Sequence, residues 1–334
     1  MLKRKKGCPM ALIDSYGRKI NYLRLSVTDR CNFRCIYCMP AGGVDKVDHH
    51  DILSYEELML LARSVVPLGI EKIRVTGGEP LVRNGIVPFL SGLAKIPGLR
   101  QLVLTTNGFL LEEMALPLRE AGVQRLNISV DSLREDRFRE ITRVGDLHRV
   151  LAGIHAAEKA GFPIKINAVA MRGINDDEIN EFAALTLDRP FAVRFIEYMP
   201  TTKEDGWESR SISGEEILAR IRERFSLQPV VRGEMAGPSR DYRIQGAAGT
   251  IGVITPLSCH FCSECNRIRV TSKGMAKTCL FSDREADLKP LLRAGDTDGL
   301  QEILRRIVSE KPGKHIIVEQ ASERKPFSMS RIGG

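Results

Sequence analysis

The chain has 334 residues, of which 43% are hydrophobic and 28% charged, an ordinary balance for a globular protein with one large and one smaller domain. Its formal net charge of +8 favours an anionic partner but does not distinguish nucleic acid, an acidic lipid surface or a phosphorylated metabolite. No apolar run approaches the roughly 18 residues of a membrane span, and no signal-peptide core follows the basic start MLKRKK, so we expect a cytoplasmic protein with no membrane partner.

The first two thirds of the chain alternate short apolar runs with longer amphipathic ones, which predicts six β/α units and a parallel sheet with helices outside. The predicted strands are Tyr22–Val27, Lys72–Thr76, Gln101–Thr106, Arg125–Val130, Ile164–Ala170 and Ala192–Tyr198. The predicted helices are Ser54–Pro67, Val87–Lys95, Leu111–Ala121, Val150–Ala160 and Asp177–Asp188. Ser54 followed by Glu57 has the pattern of a capping box.

Polar and glycine-rich residues follow several of these strands directly. They are Gly77–Pro80, Asn107-Gly108, Asp131-Ser132 and Met199-Pro200. Because active sites of barrel-like α/β folds are built at the carboxyl ends of the strands, we expect these residues to gather on one rim.

The pattern changes after about Ser226, where segments shorten and glycines become denser. A helical segment, Leu288–Glu310, follows with a break at Gly295–Gly299. We therefore expect a basic tail over residues 1–14, a core domain over 15–225 and a C-terminal domain over 226–334.

Seven of the eight cysteines fall into two tight groups, which in a cytoplasmic chain indicates metal or redox chemistry. The first group, Cys31, Cys35 and Cys38, lies directly after the first strand. Three thiolates from one loop can bind three corners of a cubane iron–sulfur cluster and leave one iron open, whereas electron-transfer clusters usually have four cysteines. The alternatives are three buried thiols or a zinc site completed by His49 or His50.

The second group has Cys262, Cys265 and Cys279, again three cysteines without an obvious fourth at regular spacing, and its remaining member is Cys259. Cys259 could complete a four-thiolate zinc site, so zinc and iron–sulfur both stay open here. The following Arg267 and Arg269 are alternate residues that point the same way in an extended segment, and their guanidinium groups suit phosphate and purine edges.

The C-x3-C-x2-C loop, followed at the end of the next predicted strand by Gly77-Gly78-Glu79-Pro80, resembles the radical S-adenosylmethionine (SAM) superfamily. The resemblance implies that the open iron is chelated by SAM and that SAM is cleaved to a 5′-deoxyadenosyl radical. It also implies four SAM contacts, made by Gly78 to the methionine amino group, by the backbone of Tyr37 and by Met199 to the adenine, and by Ser129 to the carboxylate or ribose.

A more specific resemblance rests on the stretches Asp29–Pro40, Cys262–Arg269 and Thr278–Phe281 and on the terminal Gly333-Gly334. Together they resemble the GTP 3′,8-cyclase family of molybdenum cofactor biosynthesis. That family implies an incomplete (βα)6 TIM-like barrel, a C-terminal region that caps the barrel mouth, and two [4Fe-4S] clusters with three cysteines each. The resemblance also implies that GTP lies between the clusters and is converted into 3′,8-cyclo-7,8-dihydro-GTP, which cyclic pyranopterin monophosphate synthase would convert next.

The family's GTP contacts transfer to residues of this chain. They are Arg24, Arg74, Thr105, Lys165, Arg267, Arg269 and the backbone of Ile268. The resemblance also implies that Gly333 and Gly334 enter the active site. Cys8 and Cys259 match no ligand position. We further expect an external electron donor, no nucleic-acid partner and, as an option, a homodimer.

Two other functions compete with this interpretation. A two-cluster radical SAM enzyme that modifies a peptide usually carries more C-terminal cysteines, and it leaves the Arg267–Arg269 stretch and the terminal glycines unexplained. A zinc-stabilised nucleic-acid-binding protein fits the basic charge and predicts salt-sensitive binding, but it gives Gly77–Pro80 and the β/α pattern no purpose.

Overall fold

The computed structural model describes residues 11–43, 49–199, 206–231, 233, 237–315 and 329–332. The strands are β1 (Tyr22–Ser26), β2 (Lys72–Thr76), β3 (Gln101–Thr106), β4 (Arg125–Ser129), β5 (Ile164–Ala170), β6 (Ala192–Glu197), β7 (Leu227–Pro229), β8 (Arg240–Ile244), β9 (Thr250–Ile254), β10 (Arg267–Val270), β11 (Met275–Lys277) and β12 (Ala286–Asp287). The helices are α1 (Tyr55–Val65), α2 (Ile86–Ala94), α3 (Leu111–Glu120), α4 (Glu135–Thr142), α5 (Leu147–Lys159), α6 (Ile179–Asp188), α7 (Gly214–Arg222), α8 (Lys289–Ala294), α9 (Thr297–Ser309) and α10 (Met329–Ile332).

All the described strands form one open sheet with the order β12-β11-β10-β1-β2-β3-β4-β5-β6-β9-β8-β7. The six predicted β/α strands pair in parallel in chain order, so the partial α/β barrel is confirmed. The C-terminal region also builds this sheet, because β10 pairs in parallel with β1 and β9 pairs in parallel with β6. The sequence analysis did not predict these two flanking strands or the helix α4.

Along the inner strands, residues that pack in the hydrophobic core alternate with residues that line the barrel interior. In β1, Leu23 and Leu25 are fully buried in the hydrophobic core, whereas Arg24 between them lines a cavity inside the barrel. This is the expected result of a two-residue period in a sheet covered by helices on its outer face. Ser54 and Glu57 form the expected capping box of α1, whereas α5 begins at Leu147, three residues before the predicted start, because Asp146 caps it by accepting from the Arg149 N–H.

The predicted domain boundaries stay a prediction. Residues 1–10 of the basic tail, including Cys8, lie outside the described residues, whereas Leu12 and Asp14 are buried. The predicted helical segment near the C-terminus divides into α8 and α9, with Gly295 in the left-handed conformation at the break. In the described part of the chain, no helix is long and apolar enough to cross a membrane.

Glu197, at the end of β6, connects three parts of the fold. Its buried carboxylate accepts hydrogen bonds from the backbone N–H groups of Gly214 (2.8 Å), Leu257 (3.0 Å) and Ser258 (3.1 Å), and from the Ser258 hydroxyl. These bonds join β6 to the start of α7 and to the segment that leads from β9 toward the second cysteine group.

We predict that Glu197→Gln destabilises the protein by about 2–4 kcal/mol, because the amide turns one acceptor into a donor that faces buried N–H groups. The measurement is anaerobic urea unfolding. The matched control is Glu208→Gln, an exposed side chain, which should shift stability by less than about 0.5 kcal/mol. Equal stability of the two variants would contradict the prediction.

Candidate active site

The first cysteine group lies at the carboxyl end of β1 and packs directly against the Gly77–Pro80 turn. Cys31, Cys35 and Cys38 line one cavity together with Gly77, Gly78 and Glu79. The Gly78 N–H donates to the Thr28 carbonyl at 2.7 Å. A Cβ on Gly78 would lie 2.3 Å from the Arg30 carbonyl oxygen, so only glycine allows this approach. The double glycine therefore lets the cysteine loop pack closely against this turn. The predicted contact of Gly78 with SAM stays a prediction.

Two buried acids support the same cavity. Glu79 accepts from the Thr106 hydroxyl (2.8 Å) and the Asn107 N–H (2.6 Å), and burial raises its pKa to about 7. The Asn107 side chain continues to Asn32 of the cysteine loop at 2.7 Å. This chain of bonds fixes the loop relative to the ends of β2 and β3.

The second acid is Asp131, which follows β4. It accepts from the Tyr37 hydroxyl at 2.7 Å and from the Val169 N–H at 2.8 Å, and burial raises its pKa to about 6. The Tyr37 side chain thus holds the loop against Asp131, so the backbone of Tyr37 remains for the predicted adenine contact.

The second cysteine group lies near the amino end of β1, because Asn266, the residue after Cys265, accepts through its carbonyl from the Tyr22 N–H at 3.2 Å. Cys262, Cys265 and Cys279 line a central cavity with Arg267 and Arg269. Burial alone would raise the pKa of the Cys265 thiol, but Arg267 and Lys311 bring it down to about 6, so this sulfur is a ready metal ligand.

Cys259, the candidate fourth ligand, is exposed and is not among the residues that line this cavity. Its carbonyl accepts from the Thr255 hydroxyl instead. The structure therefore groups three cysteines here and leaves the fourth outside.

Three cavities follow one another through the barrel. The upper cavity, with the first cysteines, and the central cavity, with the second, share the lining residues Thr105, Ser129, Ile196, Met199 and Met329. The central and lower cavities share Arg74 and Arg194. The lower cavity is lined by Lys72, Arg125, Lys165 and Asp241, among others.

The lower and central cavities concentrate positive charge. Burial first, and then the neighbouring Arg194 and Arg125, lower the pKa of Lys165 to about 6. Burial also lowers the pKa of Lys72 to about 8. One carboxylate compensates part of this charge, because Asp241 lies 3.2 Å from Arg194.

The same cations change the pKa of Tyr22. Burial would raise its pKa, but Arg74, Arg24 and Lys72 lower it to about 8. An anionic ligand would relieve the mutual repulsion of these groups.

Most of the predicted substrate contacts come together. Arg24, Arg74, Thr105, Arg267 and Arg269 line the central cavity, and Lys165 lines the lower one. The Ile268 side chain is buried in the core, so only its backbone remains available, as predicted. Gly333 and Gly334 lie outside the described residues.

The sequence analysis missed three cations of the same surface. Lys72, Arg125 and Arg194 line the lower cavity beside Lys165. Strand alternation could have identified Lys72 from the sequence, since it precedes Arg74 by two residues and therefore lies on the same face of β2.

The two cysteine groups fit iron–sulfur clusters. A cubane takes each cysteine at a different iron, so three cysteines that line one cavity can hold it and leave one iron open. All six candidate ligands are free cysteines, and each triad lines its own cavity.

Comparison with known proteins agrees with this geometry. Residues 25–186 match the Radical SAM superfamily, and residues 191–317 match the Molybdenum Cofactor Synthesis C family. The chain is 65% identical to the GTP 3′,8-cyclase of Geobacter sulfurreducens, over 97% of this chain and 100% of the relative. It is 47% identical to the enzyme of the same name from Moorella thermoacetica, over 96% and 99% of the two chains.

The chain belongs to the GTP 3′,8-cyclase family. Both resemblances stated from the sequence, to the superfamily and to this family, are confirmed. Among solved structures, SuiB of Streptococcus suis bound to S-adenosylmethionine aligns with a TM-score of 0.61 at 14% identity, over 96% of this chain and 76% of that one. The same protein bound to the precursor peptide SuiA aligns with a TM-score of 0.59 at 15% identity, over 93% and 75% of the two chains. At these identities the structures establish the shared fold alone.

We predict that GTP binding takes up protons near pH 7.5. Lys165, with a pKa of about 6, is largely neutral in the free protein, and an adjacent triphosphate raises its pKa and protonates it. Affinity should therefore fall as pH rises from about 6.5 to 8.5, by at most about tenfold per pH unit for one proton. The measurement is anaerobic calorimetry, without SAM, in buffers of different ionisation enthalpy.

Lys165→Met should remove most of this buffer dependence and weaken GTP binding. Lys159→Met, an exposed change on α5, is the matched control and should leave both unchanged. A binding enthalpy that is the same in every buffer would rule out the proton uptake.

Proposed function

We propose that this protein is a radical SAM GTP 3′,8-cyclase, which converts GTP into 3′,8-cyclo-7,8-dihydro-GTP in the first step of molybdenum cofactor biosynthesis. The observation that carries the proposal is the pair of three-cysteine groups in adjoining cavities that share one wall. The names of the relatives, 65% and 47% identical, support the same activity.

The chain's residues fit the two clusters and SAM. Cys31, Cys35 and Cys38 would hold one [4Fe-4S] cluster, and Cys262, Cys265 and Cys279 would hold the other. When bound, SAM at the first cluster supplies the 5′-deoxyadenosyl radical that removes the ribose 3′ hydrogen. Ser129, Met199, Gly78 and the Tyr37 backbone remain the proposed SAM contacts; Ser129 and Met199 line both the upper and the central cavity.

The charge distribution supports one orientation of GTP. The triphosphate would extend toward Lys72, Arg125 and Lys165 in the lower cavity, where it would compensate buried cations. The guanine would then lie beside Arg267 and the second cysteine group, whose open iron it would reach. The ribose would face the upper cavity.

Thr105 occupies the position that this orientation gives to the ribose. It lines both the upper and the central cavity, and its buried Oγ1 has no hydrogen-bond partner among the described residues. A ribose hydroxyl would satisfy it. Holding the ribose against the radical carbon is a proximity effect, and the enclosing barrel excludes water from the reactive centre.

Several features of the pathway complete the proposal. The product would pass to cyclic pyranopterin monophosphate synthase, and an external electron donor would reduce the first cluster. A cytoplasmic location, a possible homodimer and entry of Gly333 and Gly334 into the active site are parts of the same proposal that rest on the family resemblance.

The deciding experiment is anaerobic turnover of the reconstituted protein with SAM, dithionite and GTP. We expect 5′-deoxyadenosine to form in a GTP-dependent manner together with the cyclised nucleotide, because the radical needs the ribose hydrogen. ATP in place of GTP is the control. If GTP gives no more 5′-deoxyadenosine than ATP, the cyclase function is wrong.

We further predict that each triad holds about four of about eight irons. Replacing Cys31, Cys35 and Cys38 by alanine should remove about half of the iron and all SAM cleavage. Replacing Cys262, Cys265 and Cys279 should remove the other half and abolish the cyclised product. Metal analysis and product chromatography measure both effects.

Cys259→Ala is the matched control for the second triad and should keep about eight irons and full activity. Zinc in either site, or iron loss on changing Cys259, would contradict the ligand assignment and favour the zinc-stabilised nucleic-acid-binding protein.

A further inference from the structure

Arg143 has an unusual backbone conformation at the end of α4. Its φ is 66°, and it is the one non-glycine residue with a positive φ in the described parts of the chain. Its ψ of −34° lies outside the left-handed helical region in which glycine commonly ends helices, and a positive φ is disfavoured for a residue that carries a Cβ. An arginine at this position carries a conformational cost that glycine would avoid.

The Arg143 guanidinium contacts the first cysteine loop on both sides of its last two cysteines. Nη1 donates to the carbonyl of Arg34, one residue before Cys35, at 2.9 Å. The same nitrogen donates to the carbonyl of Met39, one residue after Cys38, at 3.1 Å. One side chain thus ties together the two ends of the segment that carries Cys35 and Cys38.

The backbone just before Arg143 contacts the same loop. The Thr142 carbonyl accepts from the Arg34 N–H at 3.0 Å, and the Ile141 carbonyl accepts from the Ile36 N–H at 2.9 Å. These carbonyls belong to the last turn of α4, where no intrahelical donor is available. The end of α4 therefore makes four hydrogen bonds to the loop, two from its backbone and two from Arg143.

The positive φ of Arg143 changes the direction of the chain just after these carbonyls. Its own N–H closes the helix on the Arg139 carbonyl at 2.7 Å, while its side chain reaches the loop. The packing of Phe33 edge-on against Phe138, with ring centroids 5.9 Å apart, holds helix and loop together from the core side.

We propose that Arg143 is a positioning residue for the first cluster, which it serves by fixing the separation of Cys35 and Cys38 through the carbonyls of Arg34 and Met39. The inference rests on the proposed function in that the first triad must hold a cluster that binds SAM. It assigns Arg143 no contact with SAM or GTP.

Two variants separate the side chain from the backbone strain. Arg143→Gly removes the guanidinium and relieves the strain, whereas Arg143→Ala removes the guanidinium and keeps the strain. We expect Arg143→Gly to melt at or above the temperature of the unmodified protein and Arg143→Ala to melt below it. Both should weaken the hold on the first cluster equally.

The readout is the electron paramagnetic resonance signal of the reduced, fully reconstituted protein that shifts when SAM is added, since SAM binds the first cluster alone. In both variants this signal should be lost to an iron chelator about three- to tenfold faster, as expected for the loss of two hydrogen bonds. KM for SAM should rise while the Kd of GTP stays unchanged. Arg143→Lys, which can reach one carbonyl, should restore part of the effect.

Arg139→Ala, an exposed arginine one turn earlier on α4, is the matched control and should behave like the unmodified protein. The proposal is overturned if Arg143→Gly keeps the SAM-sensitive signal as long as the unmodified protein does. It is also overturned if signal loss in the two variants follows their melting temperatures, which would indicate a general stability effect. Absence of any SAM-sensitive signal in the unmodified protein would instead overturn the proposed function itself.

Discussion

The parallel pairing of β10 with β1 is the constraint on which the rest of the site depends. Its register places Arg267 opposite Tyr22 and Arg269 opposite Arg24, so arginines from both ends of the chain share one wall. The first cysteine group follows the carboxyl end of β1, whereas Cys265 precedes the amino end of β10. The first and last of the five residues of β1 are four rises of about 3.3 Å apart, so its two ends are separated by about 13 Å.

Strand alternation divides the barrel interior into levels with different chemistry. The inward residues near the strand beginnings are cationic, with Lys72, Arg125 and Lys165 as examples, whereas those near the strand ends are small and polar, as Thr105 and Ser129 are. These cations are thereby kept away from the upper cavity, whose lining contains no lysine or arginine among the described residues. The outward residues of the same strands are apolar and pack on the helices. Their burial offsets the unfavourable free energy of the charged groups inside the barrel.

Local features of the sequence predicted which two segments lie together at the first cavity. The cysteine spacing and Gly77-Gly78 lie next to each other in space because they follow neighbouring strands, and β/α alternation is enough to infer this. The contributions of β9, β10 and Arg143 depend on pairings and turns between segments far apart in the chain, for which a short window carries no signal. Arg194 was missed for a related reason: alternation shows which residues of a strand share a face, but only the packing of the whole sheet shows which face is inside.

The concentration of cations also bears on specificity. Burial and mutual repulsion lower the pKa values of Lys165 and Lys72, so the free protein keeps part of this charge neutral. A triphosphate bound as proposed would restore the charge and gain several charge-assisted hydrogen bonds, whereas a nucleoside without phosphates would leave the same groups desolvated. A site of this kind rejects an analogue that lacks the recognised group more strongly than it could reject a small change in shape. Discrimination for the triphosphate therefore arises from the energy of the empty site as much as from contacts in the filled one.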